Sequence, residues 1–338
     1  MRLSFGSLVP LACLAVQPAL AGPITGFAFT TLDDPDALAG TTDAYGINDA
    51  GVVTGWSTDA AGTHGFLYDG ATWTTLDNNP FPGGKGTQAF ALNDSGQLLG
   101  GVYDASGVGH DALYDGTTWT LLGNADGASE TRYEGINDAG LLAGFIGDAH
   151  GDHASLYDGT TYTTFDDPLS QGRTLGFGLN DAGMMTGYYY GPLLSTNSLI
   201  ANHGFIFDGS NWTSFDAPDH TGLNDDPLAT EAYAINDTGL VAGIYIDKSS
   251  LKHGFVYDGS TVTEFDEPDG LLGSILVTGI NDSGTIVGRY SDAAGLHGFV
   301  ARPITSVAEP PVWTLVIGGF GMLAYIRRRM DRRRRSAL

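Results

Sequence analysis

One tetrapeptide pattern, Asn-Asp-small-Gly, returns six times in this chain, at Asn48–Gly51, Asn93–Gly96, Asn137–Gly140, Asn180–Gly183, Asn236–Gly239 and Asn281–Gly284. Successive asparagines are 45, 44, 43, 56 and 45 residues apart. A period of this size suits one four-stranded sheet per repeat rather than a helical solenoid. In the first repeat, Tyr45–Asn48, Gly51–Ser57, His64–Tyr68 and Trp73–Asp77 are four short stretches rich in aromatic and β-branched residues, separated by turn signals. That is the spacing of strands, here called A to D. Asn48-Asp49-Ala50-Gly51 joins A to B: Asp can cap its own turn, and Gly can take the positive φ of a tight hairpin. Asp69-Gly70 joins C to D and recurs as Asp115-Gly116, Asp158-Gly159, Asp208-Gly209 and Asp258-Gly259. No stretch between residues 24 and 304 shows a sustained apolar 3.6-residue period with caps, so the predicted class is all-β.

The two ends of the repeat array decide the architecture. After His297-Gly298-Phe299 the sixth repeat runs into Ala301-Arg302-Pro303 with no Asp-Gly, and so lacks a strand D. Before the first repeat stands Phe29-Thr30-Thr31-Leu32-Asp33, which reads like the strands D Trp73-Thr74-Thr75-Leu76-Asp77 and Tyr162-Thr163-Thr164-Phe165-Asp166. A six-bladed β-propeller closed by the N-terminal strand pairing in the last blade accounts for the deficit and the surplus together and removes the exposed sheet edges that an open array would leave. An open β-solenoid would leave them unrelated. Hydrophobic residues at 42% suffice to bury facing sheets. A ring of this length is ordinary for one domain whose core is shared between blades.

The termini read as targeting segments. Residues 1–21 combine Met1-Arg2, an apolar run from Leu8 to Val16 and Ala19-Leu20-Ala21, the pattern of a cleaved signal peptide. The only cysteine, Cys13, lies within it without the leucine expected upstream of a lipoprotein cysteine, so the mature chain has no disulfide. The expected division is therefore signal peptide 1–21, propeller 22–304, linker and sorting motif 305–311, transmembrane segment 312–326 and Arg-rich cytoplasmic tail 327–338. Fifteen residues span only ~22 Å as a helix, short for a permanent anchor, and the arginines would hold the end in the cytoplasm. Ala308-Glu309-Pro310, the span Trp313–Ile326 and the arginine cluster resemble the PEP-CTERM sorting signal of Gram-negative bacteria, with Ala in place of the first Pro. That resemblance implies transient inner-membrane anchoring, an exosortase-type protease as partner through Glu309 and Pro310, and delivery to the cell envelope or extracellular matrix, often with exopolysaccharide. A simple tail anchor is the alternative.

Between these ends lie seven basic and 37 acidic side chains, a net charge near −30 against −24 for the whole chain. Phosphate backbones are repelled, which excludes nucleic acid and leaves cations, neutral glycans and basic partners.

His64, His110, His153, His203, His253 and His297 each open strand C, four of them followed by Gly-Phe. The chain here resembles a bacterial extracellular repeat family named for its His-Ala-Phe (HAF) tripeptide, with Gly for Ala in those four and with Leu113 and Leu156 in the aromatic place of the second and third repeats. The resemblance implies an exported repeat protein and no defined activity. If Tyr68 pairs with Trp73, counting outward sets His64 opposite Asp77, and the same count gives His153 with Asp166, His203 with Asp216, His253 with Asp266 and, through the closing strand, His297 with Asp33. Only His110 fails, meeting Gly123. A pair repeated in nearly every blade argues for sheet structure rather than one convergent active site.

No zinc motif or cofactor fingerprint occurs. Asp33-Asp34-Pro35-Asp36 and Asn224-Asp225-Asp226 offer oxygen ligands for a structural calcium but match no fixed calcium loop. Regularity fails in the fourth B–C connection, with Tyr188, Tyr189 and Tyr190, and in the next D–A connection, with His220. Both open on one face, and such departures on a regular scaffold often carry function. The favoured expectation is a non-catalytic envelope or matrix protein binding glycan or a surface protein there, the tyrosines stacking on sugar rings. The alternative is a polysaccharide-cleaving enzyme with a carboxylate pair among Asp216, Asp219, Asp225 and Asp226.

Overall fold

The computed structural model describes residues 22–192, 200–217 and 228–305. The signal segment, the tail with Glu309 and Pro310, and His220, Asp219, Asp225 and Asp226 lie outside the described residues. All regular structure among the described residues is strand, and no helix there is long and apolar enough to cross a membrane.

Antiparallel pairing groups the strands into six four-stranded units. Glu130–Ile136, Leu142–Gly147, Asp152–Tyr157 and Tyr162–Phe165 form the third in simple chain order, as in every other unit but the last. Single parallel contacts, Thr63 with Gly86 and Asn202 with Ala229, link the third strand of one unit to the inner strand of the next in two neighbouring pairs. In the last unit, Leu276–Ile280, Ile286–Ser291 and Leu296–Thr305 receive their fourth strand from Ile24–Leu32 at the other end of the chain. Thr30 lies opposite Val300 and Leu32 opposite Gly298. The last strand runs one residue past the expected boundary at 304, because Ile24 still has a partner in Thr305.

The repeat motif closes the circle. Each repeat asparagine donates its side-chain N–H to the backbone carbonyl of the next repeat asparagine: Asn93 to Asn137 at 2.9 Å, Asn180 to Asn236 at 3.0 Å, Asn236 to Asn281 at 2.8 Å, and finally Asn281 to Asn48 at 3.1 Å. A second circle runs beside it, each aspartate N–H donating to the next aspartate carboxylate, from Asp49 to Asp94 at 2.8 Å round to Asp282 onto Asp49 at 2.7 Å. The path returns after six steps, so the sheets stand radially around one axis as a β-propeller.

This revises the reading of the turn. The asparagine caps it, its Oδ1 accepting from the N–H four residues on, as from Val52 at 2.9 Å; the aspartate leaves its own turn and reaches the neighbour. The glycine three after each asparagine has φ between 74° and 84°, a region open at little cost only to glycine.

Each innermost strand carries a register break around the residue three before its asparagine: Tyr45, Phe90, Glu134, Phe177, Tyr233 and Thr278. A bulge of this kind re-aims one side chain and pinches the strands. The pinch is visible at the glycine seven after the asparagine. A Cβ on Gly55, Gly144, Gly187 or Gly243 would stand 1.9–2.1 Å from a carbonyl oxygen of the inner strand, which no side chain tolerates.

Apolar packing lies between units. Leu76 of the first unit packs with Ala89, Leu98, Val102 and Trp119 of the second. Phe66, Phe205, Phe255 and Phe299, each two after a repeat histidine, are fully buried, and each contributes about 1.5–3 kcal/mol of transfer free energy. In the second and third units that place falls to Ala112 and Ser155, not to Leu113 and Leu156 as the sequence suggested. Trp119 fills the second, its ring lying against the Gly100 position.

Candidate functional site

The histidines lie on the face formed by the B–C and D–A connections. His153 Nδ1 is 2.8 Å from Asp166, and the same 2.8 Å separates His203 from Asp216, His253 from Asp266 and His297 from Asp33; His64 meets Asp77 likewise. The second ring nitrogen also has a partner, usually a carboxylate in the preceding turn: Asp148 at 3.3 Å for His153, Asp292 at 3.0 Å for His297, and the Gly191 carbonyl at 3.2 Å for His203. Without a facing carboxylate, His110 has Asp104 at 3.5 Å and the Phe81 ring at 4.9 Å. Burial lowers the affinity of His153 and His297 for a proton, but their two carboxylates more than offset it and hold both above the usual histidine value. With both nitrogens engaged, these rings join hairpins and have no free lone pair for a metal. Among the described residues no group of three or more His, Cys, Asp or Glu is set to hold a metal ion. Asp33 and Asp34 diverge, one to His297 and the other to the Ser57 hydroxyl at 2.7 Å.

The tyrosine platform expected in the fourth unit is not a loop. Strand B there runs Met185–Pro192, longer than its counterparts, and draws all three tyrosines into the sheet. Tyr189 is fully buried and packs on His203 at 5.2 Å, Tyr188 is 8% exposed, and only Tyr190, at 40%, faces solvent. Tyr188 nevertheless belongs to the axial cluster described next, whereas Asp216 is tied to His203.

On the Asn–Asp face, Ile47, Leu92, Ile136, Leu179, Ile235 and Ile280 floor a depression of about 80 Å³ rimmed by the six repeat aspartates. It has room for a handful of waters. Burial first, and then the neighbouring carboxylates Asp94 and Asp282, push Asp49 up to about 7; burial likewise raises Asp138 and Asp237.

Beyond that aliphatic floor the bulged residues meet. Tyr45 Oη donates to Glu134 Oε2 at 3.2 Å although their units are not neighbours, so the bond reaches past the inner strand of the second unit. Two clusters result. In one, the Tyr45, Trp56 and Phe90 rings lie 5.5–5.8 Å apart beside Glu134. In the other, the Phe177, Tyr188 and Tyr233 rings lie 5.0–6.3 Å apart. Here Glu231 accepts from Tyr233 at 2.6 Å and from the Asn202 amide at 2.7 Å. Arg132 stands 3.7 Å from Glu134, and Arg289 pairs with Asp43. Burial pushes Glu134 up to about 7 against the pull of Arg132, and Asp43 up to about 6 against Arg289. Tyr45 is held well above the ordinary phenol value, by burial and then by Glu134, so it is no nucleophile near neutrality.

Of these residues the sequence singled out Tyr188 alone, although a signal for the others exists. Asn, Asp and both glycines are nearly constant across the repeats, whereas the position three before Asn holds Tyr, Phe, Glu, Phe, Tyr and Thr. The place where repeats disagree in chemistry is the place that faces the axis.

No protein-family profile and no curated protein matches the chain. Among solved structures it is similar to the Aleuria aurantia lectin in complex with α-methyl-L-fucoside, with 12% identity, TM-score 0.44, and 87% of this chain and 99% of that one covered. It is also similar to the Trypanosoma rangeli sialidase, with 11% identity, TM-score 0.46, and 82% of this chain but 57% of that one covered. A third similar structure is the β-propeller domain of the Trilobed protease from Pyrococcus furiosus, with 12% identity, TM-score 0.44, and coverage of 78% and 84%.

Proposed function

We propose that this chain is an exported, non-catalytic binding propeller that takes carbohydrate at the axial layer of its B–C/D–A face. The observation that carries the reading is the pair of aromatic clusters, each holding a carboxylate and a phenol, facing one another across the axis. Flat rings against the apolar faces of a sugar, with carboxylate, amide and guanidinium groups for its hydroxyls, make the usual composition of a polar-ligand site. The terminal segments support export, handling by an exosortase-type protease through Glu309 and Pro310, and residence in the cell envelope or matrix as a HAF-type repeat protein.

A second reading has one observation in its favour. Glu134, buried beside Tyr45 and Arg132 and raised to about 7, keeps its proton on part of the molecules at neutrality, as a glycosidase general acid needs. A glycan array followed by a reducing-end assay separates the two. Retained glycan without new sugar ends is expected; release of new ends that stops in Glu134→Gln would establish the enzyme instead.

A further inference from the structure

We propose that the axial layer selects its ligand by charge and takes a sugar carrying a protonated primary amine, an amino sugar in its unacetylated form, in preference to neutral or acidic sugars. The inference rests on the carbohydrate-binding reading and adds the chemical class.

The charges at the layer do not balance. Asp43, Asp111, Glu134 and Glu231 stand against two guanidiniums, Arg132 and Arg289, while a third, Arg173, is paired with Asp152 at 3.2 Å. Arg289 is taken by Asp43. Arg132 is shared, with Asp111 its strongest attracting charge, and its approach to Glu134 is 3.7 Å, beyond hydrogen-bonding distance. Glu231 is held by two neutral donors, the Tyr233 phenol and the Asn202 amide. Among the described residues Glu231 therefore has no close cation of its own, and Glu134, two units away round the axis, shares Arg132 with Asp111.

A second, independent observation points the same way. The Asp43 side chain is 2% exposed, and its Oδ1 is buried with no hydrogen-bond partner, an acceptor left over after Arg289 has been used. Leaving a buried acceptor unmade is costly, and the cost is recovered when a donor arrives. The aromatic faces add to this, since a ring quadrupole attracts a cation and does nothing for an anion.

A neutral sugar entering here would displace water from Glu134 and Glu231 and return hydrogen bonds in which only the acceptor is charged, whereas an ammonium brings a charged donor and neutralises the carboxylate as well. An acidic sugar would meet the same carboxylates, after crossing the field of a domain with net charge near −30.

The test is calorimetric titration of the full chain, at about 0.15 M salt to screen the outer surface, with the β-1,4 disaccharides of glucosamine, N-acetylglucosamine and galacturonic acid. The glucosamine disaccharide is expected to bind about tenfold tighter than the acetylated one and the acidic one to bind weakest, a tenfold step being 1.4 kcal/mol. Glu134→Gln and Glu231→Gln, in the third and fifth units, are each expected to remove that advantage, with folding checked by circular dichroism. Equal affinity for the first two sugars, preference for the acid, or an advantage surviving in both variants would overturn charge selection and leave carbohydrate binding standing. If no sugar binds the folded chain while a lysine-bearing peptide does, both readings fall.

Discussion

The repeat asparagine and aspartate lie side by side and do opposite things to stability. Asn137 is buried, donates to the Asn180 carbonyl at 3.2 Å and accepts from the Leu141 N–H at 3.0 Å. Asn137→Ala strands both partners, and a loss of ~2–4 kcal/mol in denaturant unfolding is expected. Asp49 keeps its acceptor role, from the Asp282 N–H at 2.7 Å, as either Asp or Asn, but as Asp it holds a charge the ring disfavours. Its folded pKa of about 7 lies above the unfolded 3.8, so ionised Asp49 costs stability above neutrality, and the cost fades as pH falls toward 4. Asp49→Asn is therefore expected to raise the thermal midpoint at pH 8 and change little at pH 5; a lower midpoint at pH 8 would contradict this origin of the shift.

At the scale of the strand, the inner hairpin is set by a bulge and the glycine that lets the strands close on it. A Cβ on Gly243 would lie 2.1 Å from the Glu231 carbonyl oxygen. Gly243→Ala must push the inner strand aside, and a loss of at least ~2 kcal/mol with weaker ligand binding is expected, since Glu231 moves with its own carbonyl. Unchanged unfolding and binding would show that the pinch does not position the site. Strand count, hairpin register and circular closure were legible because they depend on local signals: Asp-Gly turns, period-2 strands, and a strand missing at one end and spare at the other. The bulge was not, because a one-residue excess leaves no mark in a single strand and appears only against its partner. The tyrosines misled for a related reason. Tyr188 and Tyr189 resemble a loop insertion by residue count, but the extra residues lengthen strand B and bury them. Glu134 was passed over because a lone glutamate in a strand has no motif; its meaning comes from Tyr45, two units away.

For the whole molecule, three groups of titrations combine into one pH profile. His153 and His297, raised above 6.5, contribute stability that is fully present below that value and is lost as pH rises through their folded pKa values. Glu134, Asp43 and Asp49, raised to about 7, 6 and 7, favour the folded state progressively as pH falls from about 7 toward 4. Turn aspartates such as Asp69, Asp115 and Asp148 are lowered by backbone N–H groups, and Asp104 is brought to about 2 by Ser106 and its turn. Their contribution is present above 3.8 and disappears as pH falls through the lowered values. The thermal midpoint is expected to climb from pH 8 to a maximum at about pH 5 and to fall below about pH 3.5. A midpoint that only declines on acidification from pH 8 would count against the raised groups. The central claim concerns where the ring meets its ligand, and a crystal structure of the protein soaked with the glucosamine disaccharide tests it most directly. Sugar density against Trp56 and Tyr45, with the amine beside Glu134 or Glu231, is the predicted result; sugar seated only in grooves between the outer strands, with the axial layer unchanged, would contradict it.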